Sequence, residues 1–311
     1  MGSPNWSPDI IHFEHLDKRD QNLIYLRLVL VALFWSGTVI GMRVASQTFE
    51  PFWGAFLRYV VACIGFLPVV LPKGSAFFKM SLKQWFQVSL LGFTGVFAYN
   101  YLCFKVLKTM QANHVALIIA LNPILVMMGS AWMHKDRITR RRLLGALVSL
   151  LGVAIVISRG RLWQIFSGYE LGDLLTLLAT FCWMMYTLFA RNTLETMGPL
   201  QASFWASVTG MIMLGLMAMT EPLPSRVPAS AIFAVVYLGL IGTVVGFIWY
   251  YDGIKKLGAT RAAMFNNLIP VFTLVLSVII LNEEVSTYTY IGAALVTGGV
   301  LLANRMPRRN V

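Results

Sequence analysis

A stretch of this chain occurs twice. Gly92, Gly95, Lys108, Ala112, Pro123, Gly145 and Gly152 recur as Gly239, Gly242, Lys255, Ala259, Pro270, Gly292 and Gly299, every pair separated by 147 positions. A fixed offset held across apolar segments and the loops between them is the signature of an internal duplication. The opening of each copy matches at an offset of 148, where Trp35, Arg43, Pro51 and Phe56 correspond to Trp183, Arg191, Pro199 and Phe204. The two registers differ by one gained or lost residue. Whatever fold the chain adopts must be assembled from two like halves.

Hydropathy says what each half is made of. Hydrophobic residues fill 58% of the 311 positions and charged ones 12%, with a mean hydropathy of +0.70; a soluble domain carries about a quarter charged residues. Apolar runs bounded by charges or turn residues recur along the chain, each long enough to cross about 30 Å of hydrocarbon as a helix. The predicted spans are 24–46, 54–71, 85–106, 112–133, 142–158, 172–190, 201–220, 231–252, 260–281 and 287–304. Unsatisfied amides are costly in lipid and the alternation of barrel strands is absent, so the runs read as helices. The expected fold is an all-α integral membrane protein of ten transmembrane helices, five per half. Its organisation is a cytosolic tail over 1–22, a first repeat over 23–158, a connecting loop over 159–171, a second repeat over 172–304 and a cytosolic tail over 305–311.

An odd number of crossings has a consequence. A five-helix repeat enters the membrane from the opposite side the second time, so the copies are predicted to be inverted, a recurrent design in transporters that rock one half against the other. Orientation follows from the net charge of +12, which reads as the positive-inside bias rather than as a nucleic-acid surface. With the N-terminus in the cytosol, 18 of the 25 Lys and Arg residues fall on the inner side and 7 on the outer side. Both termini are therefore expected in the cytoplasm of a cell with this protein in its plasma membrane. The first 22 residues lack the apolar core and cleavage site of a secretory signal.

Several function classes are disfavoured. Cys63, Cys103 and Cys182 lie inside apolar runs, with no CxxC or Cys/His cluster for a metal. No HExxH motif, paired intramembrane aspartates or Ser/His pair at depth points to an enzyme. Neither a metal nor a cofactor is expected, and the partners implied are a small-molecule substrate and the lipid bilayer. Gly145 with Gly152 and Gly292 with Gly299 stripe the last helix of each half, where close approach of backbones would either join the halves or form the seam of a homodimer.

The residues also carry a resemblance. The segment LFWSGTVIGMRVASQTFEPFWGAFLRYVVACIGFLPVV, with Trp35, Gly37, Arg43, Pro51 and Arg58, resembles the opening of the EamA branch of the drug/metabolite transporter superfamily. The ends of the halves, ALNPILVMMGSAWMHKDRITRRRLLGALVSLLGVAIV and NLIPVFTLVLSVIILNEEVSTYTYIGAALVTGGVLLA, are similar to the family's proline-containing helix, acidic residue and glycine-containing last helix. Glu283 keeps the acidic position and Asp136 replaces it in the first half. The resemblance covers about residues 26–304 and implies a ten-helix metabolite exporter whose helices 1, 3, 4, 6, 8 and 9 surround a central cavity. The family is defined by architecture, so substrate identity does not follow from it.

Candidate site residues come from helix interruptions and polar groups at depth. Proline inside a spanning helix frees a backbone carbonyl, and interruptions at corresponding places of two halves point to a midplane site. Pro123 and Pro270 do this in helices 4 and 9, beside Asn122 and beside Asn266 and Asn267. Helix 3 brings Tyr99 and Asn100, and helices 1 and 6 bring Trp35, Trp183 and Tyr186; Trp249, Tyr250 and Tyr251 fit an interfacial belt. His114 near one end of helix 4 is either a gate residue or a hydrogen-bonded cap. No Lys or Arg is expected at mid-depth: Arg43, Arg58 and Arg191 fall near predicted helix ends, where Arg43 and Arg191 snorkel or pair with loop carboxylates such as Glu50 or Glu195. The substrate expected is small and neutral or zwitterionic, amino acids including aromatic ones first, moved by facilitated diffusion or exchange in the direction of efflux. Organic cations and nucleotide-like metabolites are the alternatives within transport, and a membrane scaffold or sensor is the alternative outside it.

Overall fold

The computed structural model describes residues 18–134, 140–161, 170–194, 196–257 and 265–304, and among them every regular element is helical. Helix α1 (Lys18–Ser46) ends in a turn in which the Phe49 amide reaches the Ala45 carbonyl, and α2 (Pro51–Val70) starts at once on a proline. Proline suits that position because its missing N–H is one that the first turn leaves unpaired anyway. Helix α3 (Leu82–Leu91), opened by a reciprocal Ser81–Gln84 capping box, runs through a π segment, Gly92–Ala98, into α4 (Tyr99–Leu107). After α5 (Ala112–Ile119) and α6 (Asn122–His134) comes α7 (Arg140–Ile157).

Helices α8 (Leu171–Thr193) and α9 (Pro199–Ala218) follow, then α10 (Ala229–Tyr237), which passes through a second π segment, Leu238–Val245, into α11 (Gly246–Leu257). A short 3₁₀ turn, Phe265–Leu268, precedes α12 (Ile269–Leu281), and α13 (Thr287–Asn304) closes the described chain. Among the described residues, seven helical stretches are long and apolar enough to cross a membrane: Gln21–Ser46, Pro51–Lys73, Leu82–Leu107, Ala112–Met133, Leu171–Ala190, Pro199–Ala218 and Ala229–Tyr250. Leu143–Val156 and Ile269–Leu281 are shorter apolar helices.

Pro123 and Pro270 do not kink continuous helices. Helix α5 stops at Ile119, and Pro123 is the second residue of a new helix, just as Pro270 is the second residue of α12. The interruptions fall where the sequence places them, but each proline opens the helix that follows the break, where it costs no internal hydrogen bond. The Ile269 carbonyl lies 2.9 Å from the Ser36 hydroxyl of α1, which also lies 2.7 Å from the Ala32 carbonyl.

The glycine stripes of α7 and α13 meet each other within the chain. A Cβ on Gly152 would fall 2.8 Å from the Gly292 carbonyl oxygen, and one on Gly299 would fall 2.6 Å from the Ser149 amide. Ser149 Oγ donates to the Val296 carbonyl across this seam at 2.9 Å. Of the two uses the sequence leaves open, the glycines serve the one that joins the halves. The outward side of α7 carries exposed Leu143, Leu147, Leu150 and Leu151, the pattern of a surface facing an apolar solvent.

Candidate substrate site

The two π segments occupy equivalent places in the two halves, and both leave carbonyls without their usual donors. In the first, Asn100 Nδ2 lies 3.0 Å from the Gly95 carbonyl and 3.0 Å from the Val96 carbonyl. In the second, the Thr243 hydroxyl donates to the Leu238 carbonyl at 2.9 Å and the Trp35 indole donates to the Gly242 carbonyl at 3.0 Å. Each segment packs on the opposite half through its first glycine: a Cβ on Gly92 would fall 2.9 Å from the Ala206 carbonyl oxygen, and one on Gly239 would fall 2.8 Å from that of Arg58. Ala206 and Arg58 are themselves an equivalent pair at the offset of 148. The next glycines repeat the reciprocity, Gly95 against Tyr186 and Gly242 against Thr38, again an equivalent pair.

Arg58 joins the two segments. Its NH1 donates to Asn100 Oδ1 at 2.9 Å, while Nε and NH2 donate to Thr243 Oγ1 at 3.3 and 3.2 Å. Its guanidinium lies 5.4 Å from the ring centroid of Tyr59, whose hydroxyl is 3.1 Å from Asn100 Nδ2. Arg58 is 6% exposed and Asn100 1%, and among the described residues no carboxylate stands within ion-pair distance of the guanidinium. The expectation that Arg58 falls near a helix end is therefore corrected. Helix α2 begins at Pro51 rather than at 54, which puts Arg58 seven residues, or about 10 Å, along the helix instead of in its first turn.

Beside this network is a cavity of about 10 Å³, room for roughly one water. Tyr59 and Phe66 of α2, Gly95 and Val96 of the first π segment, Trp183 and Tyr186 of α8, Ser203, Ala206 and Ser207 of α9, and Thr243 and Phe247 line it. Helices α2 and α9, the second helix of each half, contribute to this wall because the π glycines draw them inward to backbone contact, and among the described residues α1, α5, α6 and α12 do not reach this small cavity. Its lining is mixed, with Thr243 in front of Arg58 and Asn100, the hydroxyls of Ser203 and Ser207, and the rings of Tyr59, Trp183, Tyr186 and Phe247.

The predicted site residues divide accordingly. Trp183 and Tyr186 line the cavity, and Tyr99 packs on Trp183 with ring centroids 4.8 Å apart. Asn100 sits behind the wall with its amide occupied by Arg58, Tyr59 and the π carbonyls. Trp35 lies beside Phe247 (5.7 Å) and against Tyr250 (4.9 Å). Asn266 Nδ2 lies 3.4 Å from the Tyr250 hydroxyl, and Asn122 has a buried Oδ1 with no protein partner among the described residues. The side chains of Pro123, Asn267 and Arg191 lie outside the described residues, as do Asp136 and Glu195. Arg43 donates to the Leu107 carbonyl instead of pairing with Glu50, which takes Lys108 at 2.7 Å.

Polar contacts between the halves fasten both ends of the bundle. Where α1 ends and α5 begins, His114 Nε2 stands 2.6 Å from Asp173 Oδ1, and Glu283 accepts from the Ala112 and Asn113 amides at 2.6 and 3.1 Å. Glu221 accepts from the Phe52 and Trp53 amides at 2.9 and 3.2 Å in the same way, each carboxylate capping a helix N-terminus of the other half. Burial raises the Glu221 carboxyl above the usual range, against the pull of those two amides. An open cleft of about 450 Å³, with Arg43, Gln47, Pro228 and Glu283 on its walls, lies at this end. At the other end Arg27 pairs with Asp252 at 3.3 Å and Gln84 donates to the Thr196 carbonyl.

Comparison with known proteins agrees with this architecture. The model of the EamA-like transporter family matches the chain twice, over residues 22–158 and 170–305. The Bacillus subtilis protein named uncharacterized transporter YyaM is 28% identical over 92% of this chain and 96% of its own length. An uncharacterized transporter of Archaeoglobus fulgidus is 27% identical over 89% of this chain and 96% of its own. A solved crystal structure superposes with a TM-score of 0.63 at 22% identity, covering 89% of this chain and 94% of that one, a likeness of fold. The chain belongs to the EamA-like transporter family, within the drug/metabolite transporter superfamily, and is an integral multi-pass membrane protein.

Proposed function

We propose that this member of the EamA-like transporter family is a secondary transporter that moves small metabolites, amino acids including aromatic ones foremost, by alternating access of two inverted five-helix repeats. The observation that carries the reading is the small cavity between the halves, lined by Trp183, Tyr186, Tyr59 and Phe247, with polar contacts between the halves at both ends. The reciprocal glycine contacts, Gly92 on Ala206 and Gly239 on Arg58, support a two-fold relation between the repeats. With five crossings per repeat, α7 and α13 being the last of each, that relation would be an inversion, and the excess of Lys and Arg in the loops favours both termini in the cytoplasm.

In this reading the cycle releases one set of end contacts at a time. Parting His114 from Asp173 and Glu283 from the α5 amides opens the cavity to one side, and parting Arg27 from Asp252 opens it to the other. Facilitated diffusion or exchange needs no further ion. Proteoliposomes of the purified chain test this: counterflow of labelled aromatic amino acids above empty liposomes, saturable and indifferent to a pH gradient, is expected. Flux indistinguishable from empty liposomes overturns the substrate class, and flux abolished by dissipating a pH gradient overturns the uncoupled cycle.

A further inference from the structure

A guanidinium buried away from water without an anion is costly, because neutral hydrogen bonds return only part of its lost hydration. Arg58 is in that position. Of its five N–H groups three are directed at Asn100 and Thr243, which leaves one on NH1 and one on NH2 without a partner among the described residues. Two N–H groups of one guanidinium are the complement of a carboxylate's two oxygens. The arginine stands directly behind Thr243 and Tyr59, both of which line the cavity.

We infer that Arg58 is the docking point for a carboxylate on the transported molecule, so that the substrate is a monocarboxylate whose apolar or aromatic body lies against Trp183, Tyr186 and Phe247. This rests on the transport reading above and narrows it to a chemical class. One cation balances one negative charge, which favours a monocarboxylate over a phosphate ester. In this structure the cavity has room for about one water, so the carboxylate reaches Arg58 when the halves part. Parting the halves separates Arg58 and Asn100, of the first half, from Thr243, of the second, and so frees the two N–H groups now given to Thr243 as well. An alternating cycle thus has a built-in reason to bind an anion: the carboxylate replaces the contact that opening breaks.

The test uses the full chain with matched probes, 3-phenylpropionate and L-phenylalanine against 3-phenylpropionamide and phenethylamine, read by thermal shift in detergent and by counterflow in proteoliposomes. The wild type is expected to bind and move the carboxylates at least tenfold better than the amide and amine, Arg58→Gln to lose that preference, and Arg58→Lys to keep part of it. Equal handling of carboxylate and amide by the wild type, or a tenfold preference that survives Arg58→Gln, overturns the assignment and leaves the transporter reading standing. If Arg58→Gln does not fold, the wild-type preference and Arg58→Lys decide. A wild type that neither moves nor is stabilised by any probe overturns the aromatic transport reading, and the assignment with it.

Discussion

Where the first π segment, Gly92–Ala98, is repaired by the amide of Asn100 one turn further along its own helix, the second, Leu238–Val245, is repaired by Thr243 from within and by Trp35 from across the interface. The backbones of the two are alike: same break, same glycine spacing, same close approach to the second helix of the other half. The side chains are not. Asn100 has Phe247 as its counterpart, Arg58 has Ala206 and Thr243 has Val96, and all three counterparts line the cavity as apolar surface. Duplication kept the geometry that two halves need in order to move against each other, while the guanidinium and the amide gathered on one side, with only the hydroxyls of Ser203 and Ser207 on the other. A symmetric hinge thereby encloses an asymmetric site.

Moving charge to the mirror position is the hardest blow to that division. Ala206→Arg places a guanidinium where the counterparts of its partners are Phe247 and Val96, and a buried unpaired charge costs about 3–5 kcal/mol. Loss of folded protein, followed by fluorescence-detected size exclusion, is expected. Folded protein at wild-type yield would mean that the two sides are interchangeable. A smaller and symmetric effect follows from the shared backbone. Gly92→Ala and Gly239→Ala each press a Cβ on a main chain less than 3 Å away and should each cost about 1–3 kcal/mol, matching within about 0.5 kcal/mol. Detergent melting curves check this, and a large difference between the two breaks the symmetry.

Much of this arrangement was legible in the sequence, and its limits have physical causes. The duplication and the apolar runs showed where helices lie, because spacing and hydropathy are properties of the chain itself. Trp183 and Tyr186 were singled out because their place in the repeat and their depth argued against an interfacial belt, and both line the cavity between the halves. Arg58 was not, since its meaning depended on where α2 begins: Pro51 starts the helix one turn earlier than hydropathy alone suggests, which carries the arginine inward. Thr243 had no signal either, because a lone hydroxyl in an apolar run most often bonds its own helix. Its role depends on Arg58 arriving from the other half of the chain. The prolines marked the interruptions correctly, but whether a proline kinks a helix or starts a new one turns on the residues before it, here the turn at Ala120 and Leu121 and the 3₁₀ segment Phe265–Leu268.

The smallest effects separate the two equivalent tryptophans. Trp35 holds the Gly242 carbonyl, so Trp35→Phe removes one hydrogen bond from the second π segment and should cost about 1 kcal/mol, seen as a lowered Tm. Its effect on flux should follow the amount of folded protein. Trp183 lines the cavity and packs between Tyr99 and Tyr186 at 4.8 and 5.1 Å. Trp183→Phe keeps an aromatic ring there, so stability should stay within about 0.5 kcal/mol. The site loses its indole, and flux of an aromatic probe should fall several-fold at unchanged protein abundance. The pair is informative because the residues are equivalent in sequence: if both substitutions lower Tm alike and spare flux alike, the asymmetry of the site stops short of these positions. Divergence in the expected directions extends it to the first helix of each half, with one tryptophan serving the hinge and the other the substrate.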